Sequence, residues 1–313
     1  MYVGVDVGGM SVKAGIVDDS GKILYKYSIE TGADRTMPEI VHDMAAMIDK
    51  TIKDSGVPVS EISGIGLGIP GASDQEKGEI VYCTNINLDN APIAAEIHKY
   101  LDVPVYLDND ANVAALAEYY ALGGNMPCFV AITLGTGVGG GVIINGKIFS
   151  GSNGIGAELG HIIINENGKE CGCGGHGCLE AYASVTALIS QTKEAMAADK
   201  NSLMHQLTGG NLDAVNGKTA FDAAKQGDKT AQAVVDAYIE HVSIGLVSLI
   251  NVFQPTVLAI GGAICKEGDY LLNPIKEYCD KYAYGTTFTA KPQIKIATLG
   301  NDAGIIGAAM LCK

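Results

Sequence analysis

The chain has 313 residues, 47% of them hydrophobic, enough for two domains of ordinary size or one large one around a real core. A formal net charge of −14 sets it against nucleic acid and anionic membrane surfaces as partners, although a nest of backbone N–H groups can still hold a phosphate inside an acidic protein. The opening Met1-Tyr2-Val3-Gly4-Val5-Asp6 has no basic segment, and no apolar run reads as long enough to span a bilayer. We therefore expect a cytoplasmic protein whose eight cysteines are thiols or metal ligands rather than disulfides.

From the N-terminus, residues 2–7, 11–17 and 23–27 read as three strands joined by the Gly8-Gly9 turn and the Asp19-Ser20-Gly21-Lys22 turn. A helical period follows over about 38–54, with Ile40, Met44, Met47 and Ile48 on one face. Residues 62–69 form an apolar strand with Gly64, Gly66 and Gly68 at alternate positions, and 103–107 form another that ends in Asp108-Asn109-Asp110. The alanine-rich 111–122 is helical. The pattern then restarts: a strand at 129–134, a glycine turn at 135–141, a strand from Val142, a hairpin signal at Asn145-Gly146 and a third strand from Lys147. This repeats the unit at 2–27 and predicts two similar halves. Helices are expected at about 185–198, 219–226 and 230–252, a strand at 257–260 running into Gly261-Gly262, a further helix, a strand near 293–297 and a final helix over about 303–311. Strands alternating with helices make this an α/β protein. With no Ser/Pro linker between the halves, they are expected to pack tightly around a cleft.

Gly135-Thr136-Gly137-Val138-Gly139-Gly140 contains G-x-G-x-x-G, but a dinucleotide fingerprint must open a helix, and a hairpin follows here. No Walker-type motif is present. The alternative is a pair of strand–glycine turn–strand hairpins that present backbone N–H groups to phosphates; each taken alone could also be a plain β-turn. Asp6, just before Gly8-Gly9, could hold Mg²⁺ beside a triphosphate, or could simply cap the turn. Asp110 and Asp108 both lie beyond a strand's carboxyl end, where open α/β sheets place ligands; the bland reading makes these acids helix caps. Cys171, Cys173 and Cys178, with His161 upstream or His176 nearby, could close a tetrahedral zinc site, the alternative being a disulfide. Cys83, Cys128, Cys265, Cys279 and Cys312 lack such company and read as buried or incidental thiols.

Taken in order, several segments resemble the ROK family of actin-like sugar kinases, and within it the bacterial glucokinases. They are Asp6-Val7-Gly8-Gly9, Gly68-Ile69-Pro70-Gly71, Asn109-Asp110-Ala111-Asn112, Leu134 to Gly140, Gly156 to His161, Cys171 to Glu180 and Gly261-Gly262. The resemblance covers nearly the whole chain. It implies two ribonuclease-H-like lobes with the active site in the cleft between them. The N-terminal lobe is expected to comprise 1–120 with 298–313, and the lobe for nucleotide and zinc 121–297. It further implies a hexose kinase, a glucokinase above all, acting on the 6-hydroxyl of glucose, with N-acetylmannosamine, allose and fructose as other candidate sugars. Asp110 would be the catalytic base, with Asn109, Glu158, His161 and Glu180 on the sugar. ATP and Mg²⁺ would be held by Asp6, Gly8, Gly9 and Lys13 in one half and by Thr133, Gly135, Thr136, Gly137, Gly261 and Gly262 in the other. The resemblance selects His161 with Cys171, Cys173 and Cys178 for a structural Zn²⁺ site, and it implies a homodimer or homotetramer.

The chain departs from the family pattern in two places. Met10 stands where threonine is usual, so a hydroxyl near the phosphates is lost unless Ser11 supplies it. Asn87-Leu88-Asp89-Asn90 replaces a tryptophan-containing segment, in a chain with no tryptophan. The family also includes sugar-sensing repressors, which need a helix-turn-helix before the first phosphate-loop strand. An actin-like filament ATPase would lack the cysteine box and the sugar acids.

Overall fold

The computed structural model describes every residue except Thr84 and Thr286. Among the described residues the chain runs through β1 (Tyr2–Val7), β2 (Ser11–Val17), β3 (Ile23–Glu30), α1 (Met37–Ser55), β4 (Gly64–Ile69), β5 (Ala72–Asp74), β6 (Glu79–Tyr82), α2 (Ile93–Ile97), β7 (Val105–Asn109) and α3 (Asp110–Ala121). It continues with β8 (Cys128–Leu134), β9 (Val138–Ile144), β10 (Lys147–Ile148), α4 (Glu180–Ala183), α5 (Val185–Ala198), α6 (Met204–Leu207), α7 (Thr219–Ala224) and α8 (Lys229–Phe253). The last elements are β11 (Val257–Gly261), α9 (Asp269–Tyr282), β12 (Gln293–Ile296) and α10 (Ala303–Met310).

Two compact units result: Met1–Pro127 with Gly141–Ala157 and Thr298–Lys313, and Cys128–Gly140 with Glu158–Ala297. One five-stranded sheet has the order β3-β2-β1-β4-β7 and the other β10-β9-β8-β11-β12. In each, an antiparallel hairpin is followed by parallel neighbours, β1–β4–β7 and β8–β11–β12. The repeat read from the sequence is thus present as a shared strand order.

Local chemistry accounts for the elements. In α1, Pro38 lies in the first turn, the Glu39 carboxylate accepts from the Thr36 N–H at 3.0 Å, and Gly56 closes the helix in the left-handed conformation at φ 73°. Ile40, Met44, Met47 and Ile48 are all buried on its inner face. Gly66 of β4 and Gly4 of β1 form the floor under α10, while Gly68 lies against Val113 of α3. A Cβ at Gly66 would lie 1.8 Å from the Ala308 carbonyl oxygen, and one at Gly4 of β1 1.9 Å from that of Ile305. Helix and sheet therefore meet backbone to backbone, which any larger residue would prevent.

Three features depart from the sequence expectation. The second glycine turn ends sooner, because β9 already starts at Val138. Gly140 and Gly141 are strand residues kept small by Leu159 and by Ala115, whose atoms lie 2.7 and 2.6 Å from where a Cβ would be. Packing of Gly141 on Asn112 and Ala115 of α3 places residues 141–157 with the first unit. The β5–β6 hairpin and the short helices α2, α4 and α6 carry too few residues to show a period. Finally, α8 is 25 residues long with a mean hydropathy of 1.6 over its most apolar window, long and apolar enough by composition to cross a membrane. Over half of that window is buried within the protein, Val235, Tyr238, Val242 and Leu246 among its buried side chains, as in a core helix.

Candidate active site

In the first unit the parallel strands β1, β4 and β7 end side by side, with Asp6 opposite Gly68 and Gly68 opposite Asp108. Asp6 thus stands at a sheet's carboxyl edge. Lys13 on the neighbouring strand reaches its Oδ2 at 3.3 Å, a half-exposed pair that sets position more than stability. The first turn of α10 closes on the same carboxylate: a Cβ at Gly304 would lie 2.5 Å from Asp6 Cγ. Gly8-Gly9-Met10 forms the turn that follows. A Cβ at Gly9 would meet nothing within 4 Å, and Met10 is 89% exposed. The Thr31 hydroxyl, just past the end of β3, donates to the Gly8 carbonyl of this turn.

At the end of β7 the three polar residues have different surroundings. Asp108 is 2% exposed, and its oxygens accept from Asn112 Nδ2 at 2.8 Å, Asn109 N at 2.7 Å and Gln75 Nε2 at 2.8 Å. Burial pushes its carboxyl above the ordinary range, with these hydrogen bonds acting in the opposite direction. Asn109 is the N-cap of α3: its Oδ1 accepts from Ala111 N at 2.8 Å and its Nδ2 donates to the Gly71 carbonyl at 3.2 Å. Asp110 is the first residue of the helix, half-buried, its Oδ1 accepting from Ala111 N at 2.9 Å. An acid in that first turn sits where the helix dipole favours negative charge.

In the second unit β8 and β11 run parallel, with Thr133 opposite Gly261. The turn after β8 is closed by Gly135 N donating to Gly137 O at 3.0 Å. It is tied to the start of α5, where Val185 N donates to Gly135 O at 2.8 Å and the Thr186 hydroxyl to Thr136 O at 2.7 Å. Gly262, at φ 105°, lies against this turn: a Cβ there would come 2.1 Å from the Leu134 carbonyl oxygen. Glu180 faces the same turn. Its Oε2 accepts from Val138 N at 2.9 Å, and a Cβ at Gly137 would come 2.4 Å from that oxygen, so a side chain there would displace the Glu180 carboxylate.

The cysteine box folds around His161. The ligand atoms of His161, Cys171, Cys173 and Cys178 lie within 4.8 Å of one another. His161 Nδ1 stands 3.7 Å from Cys171 Sγ, and Cys173 Sγ stands 3.7 Å from Cys178 Sγ. Metal–sulfur bonds of about 2.3 Å in a tetrahedron separate sulfurs by about 3.8 Å, so the set fits a tetrahedral ion and is too open for an S–S bond. His176, the rival ligand, is outside this group. Burial pushes the Cys171 thiol up to about 12 and raises Cys178, whereas the Gly175 backbone N–H lowers exposed Cys173. Cys171 also approaches Glu180 Oε1 at 3.6 Å, so one carboxylate touches both the thiol cluster and the glycine turn. Glu158, exposed, immediately precedes the 3-10 turn Leu159–His161, and its carbonyl accepts from His161 N at 3.0 Å.

The family model described as the ROK family matches residues 2–313. The chain belongs to the ROK family. The glucokinase of Halalkalibacterium halodurans is 38% identical over 100% of this chain and 94% of its own length. That of Thermotoga maritima is 35% identical over 99% and 96%. Among solved structures, a ROK family glucokinase from Streptomyces griseus in complex with glucose and AMPPNP superposes with a TM-score of 0.79. It is 33% identical and covers 99% of this chain and 98% of that one. The α/β architecture of this ROK protein is the actin-like, two-lobed ATPase fold.

The candidate residues expected from the sequence thus fall into three groups. Asp6, Gly8, Gly9, Lys13, Asn109 and Asp110 lie along the carboxyl edge of the first sheet. Thr133, Gly135, Thr136, Gly137, Glu180, Gly261 and Gly262 surround one turn of the second, and His161 joins the three cysteines. Four supporting groups had no signal of their own: Gln75 and Asn112 on Asp108, Thr31 on Gly8, and the Val138 amide on Glu180. Asn112 and Val138 lay inside recognisable motifs; Gln75 and Thr31 did not.

Proposed function

We propose that this protein is an ATP-dependent hexose kinase that transfers the γ-phosphoryl group of Mg-ATP to the 6-hydroxyl of glucose, with Asp110 as the base. Similarity to glucokinases over the full length, at 38% and 35% identity, supports the reaction. The observation that carries the role of Asp110 is the contrast with its neighbour. A base must reach a substrate proton. Asp108 is buried and already accepts three hydrogen bonds, whereas Asp110 stands half-buried at the first turn of α3.

The other roles follow from the donors and acceptors available. Asn109, Glu158, His161 and Glu180 would bind sugar hydroxyls. His161 turns Nδ1 toward the thiols, which leaves Nε2 to carry the proton and donate. Glu180 uses one oxygen on Val138 N but, as a carboxylate, retains lone pairs for a hydroxyl. Asp6, Gly8, Gly9 and Lys13, with Thr133, Gly135, Thr136, Gly137, Gly261 and Gly262, would hold the nucleotide. Asp6 would bind Mg²⁺, which neutralises charge on the phosphates. His161, Cys171, Cys173 and Cys178 would hold a structural Zn²⁺ with no open position. We assign residues 1–120 with 298–313 to sugar and phosphate turn and 121–297 to nucleotide and zinc. We place the enzyme in the cytoplasm, as a homodimer or homotetramer.

The test is a coupled assay of kcat/KM with Mg-ATP across glucose, N-acetylmannosamine, allose and fructose, with polyphosphate as the alternative donor. A misplaced hydroxyl leaves a buried acceptor unpaired, at about 1–3 kcal/mol. Glucose should therefore lead. Another hexose ahead by about tenfold, roughly 1.4 kcal/mol, would replace glucose and leave the kinase reading standing; no phosphorylation of any sugar would end it.

A further inference from the structure

The Gly8-Gly9-Met10 turn lacks a side chain able to hold its own shape, because its third residue is an outward-pointing methionine. Thr31 does this from outside the turn. It is 1% exposed, and it grips the turn twice: its N–H donates to the Met10 carbonyl at 3.1 Å and its hydroxyl donates to the Gly8 carbonyl. Thr31 is itself held, since its carbonyl accepts from Arg35 Nη2 at 3.0 Å while Arg35 Nη1 pairs with Asp43 at 2.6 Å.

The geometry has a consequence for the amide that follows. The Gly8–Gly9 peptide is trans, so its C=O and N–H point in opposite directions. Turning the Gly8 carbonyl onto the Thr31 hydroxyl therefore turns the Gly9 N–H away from Thr31, on the residue whose Cβ position is open. Gly8 N also donates to Ser11 O at 3.1 Å and joins the ends of the turn; between those ends, a glycine peptide without the Thr31 bond has more freedom to rotate.

We propose that Thr31 is a positioning residue for the nucleotide: its hydroxyl orients the Gly9 amide toward the phosphates, taking over for the loop threonine that Met10 displaces. The inference rests on the kinase reading for its ligand, and it is tested on nucleotide binding so that the two can fail separately. Thr31→Val keeps shape and removes the hydroxyl; Thr31→Ser keeps the hydroxyl. For Thr31→Val, calorimetric Kd for Mg-AMPPNP and KM for Mg-ATP should rise about threefold to tenfold, the scale of one hydrogen bond. KM for glucose should stay within about twofold, a shift too small to represent a lost hydrogen bond. Thr31→Ser should restore nucleotide affinity. Hydrogen exchange over residues 8–11 should quicken in Thr31→Val and return in Thr31→Ser, which reads the turn directly if Thr31→Val is poorly stable.

Unchanged nucleotide affinity in a folded Thr31→Val protein overturns the proposal, as does a Thr31→Ser variant no better than Thr31→Val, or sugar and nucleotide KM rising together. A wild type that binds Mg-AMPPNP but phosphorylates no hexose removes the hexose reading and leaves Thr31 judged on Kd alone. A wild type that binds no nucleotide overturns both.

Discussion

Asp108 and Asp110 differ by two positions, yet burial assigns them different chemistry. Asp110→Asn keeps the side-chain oxygen that accepts from Ala111 N, so the helix start should survive while the proton acceptor is lost. We expect kcat to fall by at least about a hundredfold with sugar still bound; near wild-type kcat would exclude Asp110. Asp108→Asn should fall well short of that loss and reveal itself in stability instead. Because burial raises the Asp108 pKa in the folded protein above its unfolded value, its contribution is fully present below the unfolded pKa and is lost as pH rises through the folded one. Asp108→Asn should therefore gain stability relative to wild type as pH rises from about 4, the ordinary carboxylate value, toward 7. Denaturant titrations at several pH values measure this, and a pH-independent difference would show that Asp108 is not the group responsible. From the residues alone the two acids were rivals, because spacing cannot tell which of two neighbours at a strand end faces the interior.

At the scale of elements, the glycines of β1 and β4 do a different job from those of the turns. Gly66→Ala would push a Cβ to 1.8 Å from the Ala308 carbonyl, so α10 must shift; we expect a loss of about 3 kcal/mol or more. Gly56→Ala at the end of α1 meets nothing within 4 Å and should cost only the left-handed backbone, about 1–2 kcal/mol. Equal losses in thermal or urea unfolding would refute close helix–sheet contact as the reason for Gly66. The alternation of Gly64, Gly66 and Gly68 was visible in the sequence, but the partner of Gly66 was not, because α10 lies more than 230 positions later. Longer helices and strands were legible for a simpler reason: a period of two or of 3.6 needs only neighbouring residues. The β5–β6 hairpin escaped the sequence reading because it is too short for a period. The start of β9 escaped it because consecutive glycines read as a turn, and only the packing of Leu159 and Ala115 on Gly140 and Gly141 makes them strand residues.

For the whole molecule, the proposed zinc site gives the broadest test. Purified protein should carry one zinc per chain, and Cys178→Ser should lose metal and melting temperature together, since the binding energy of such a site contributes to folding. A chelator should lower the melting temperature of the wild type and leave that of Cys178→Ser unmoved; fully active protein without metal in elemental analysis would end the idea. The sequence by itself determined the α/β class, the repeated strand–turn–strand unit, the ordered family segments and the four metal-ligand candidates, because each is written in residues close together or in a fixed order. Only the tertiary structure decided which acid is buried and which residues belong to each compact unit. It also showed that Thr31 holds a turn 23 positions away, Glu180 an amide 42 away, and Glu118 the Thr298 backbone 180 away. Those bonds join groups that meet only once the sheets have formed, and no local spacing rule encodes such a meeting.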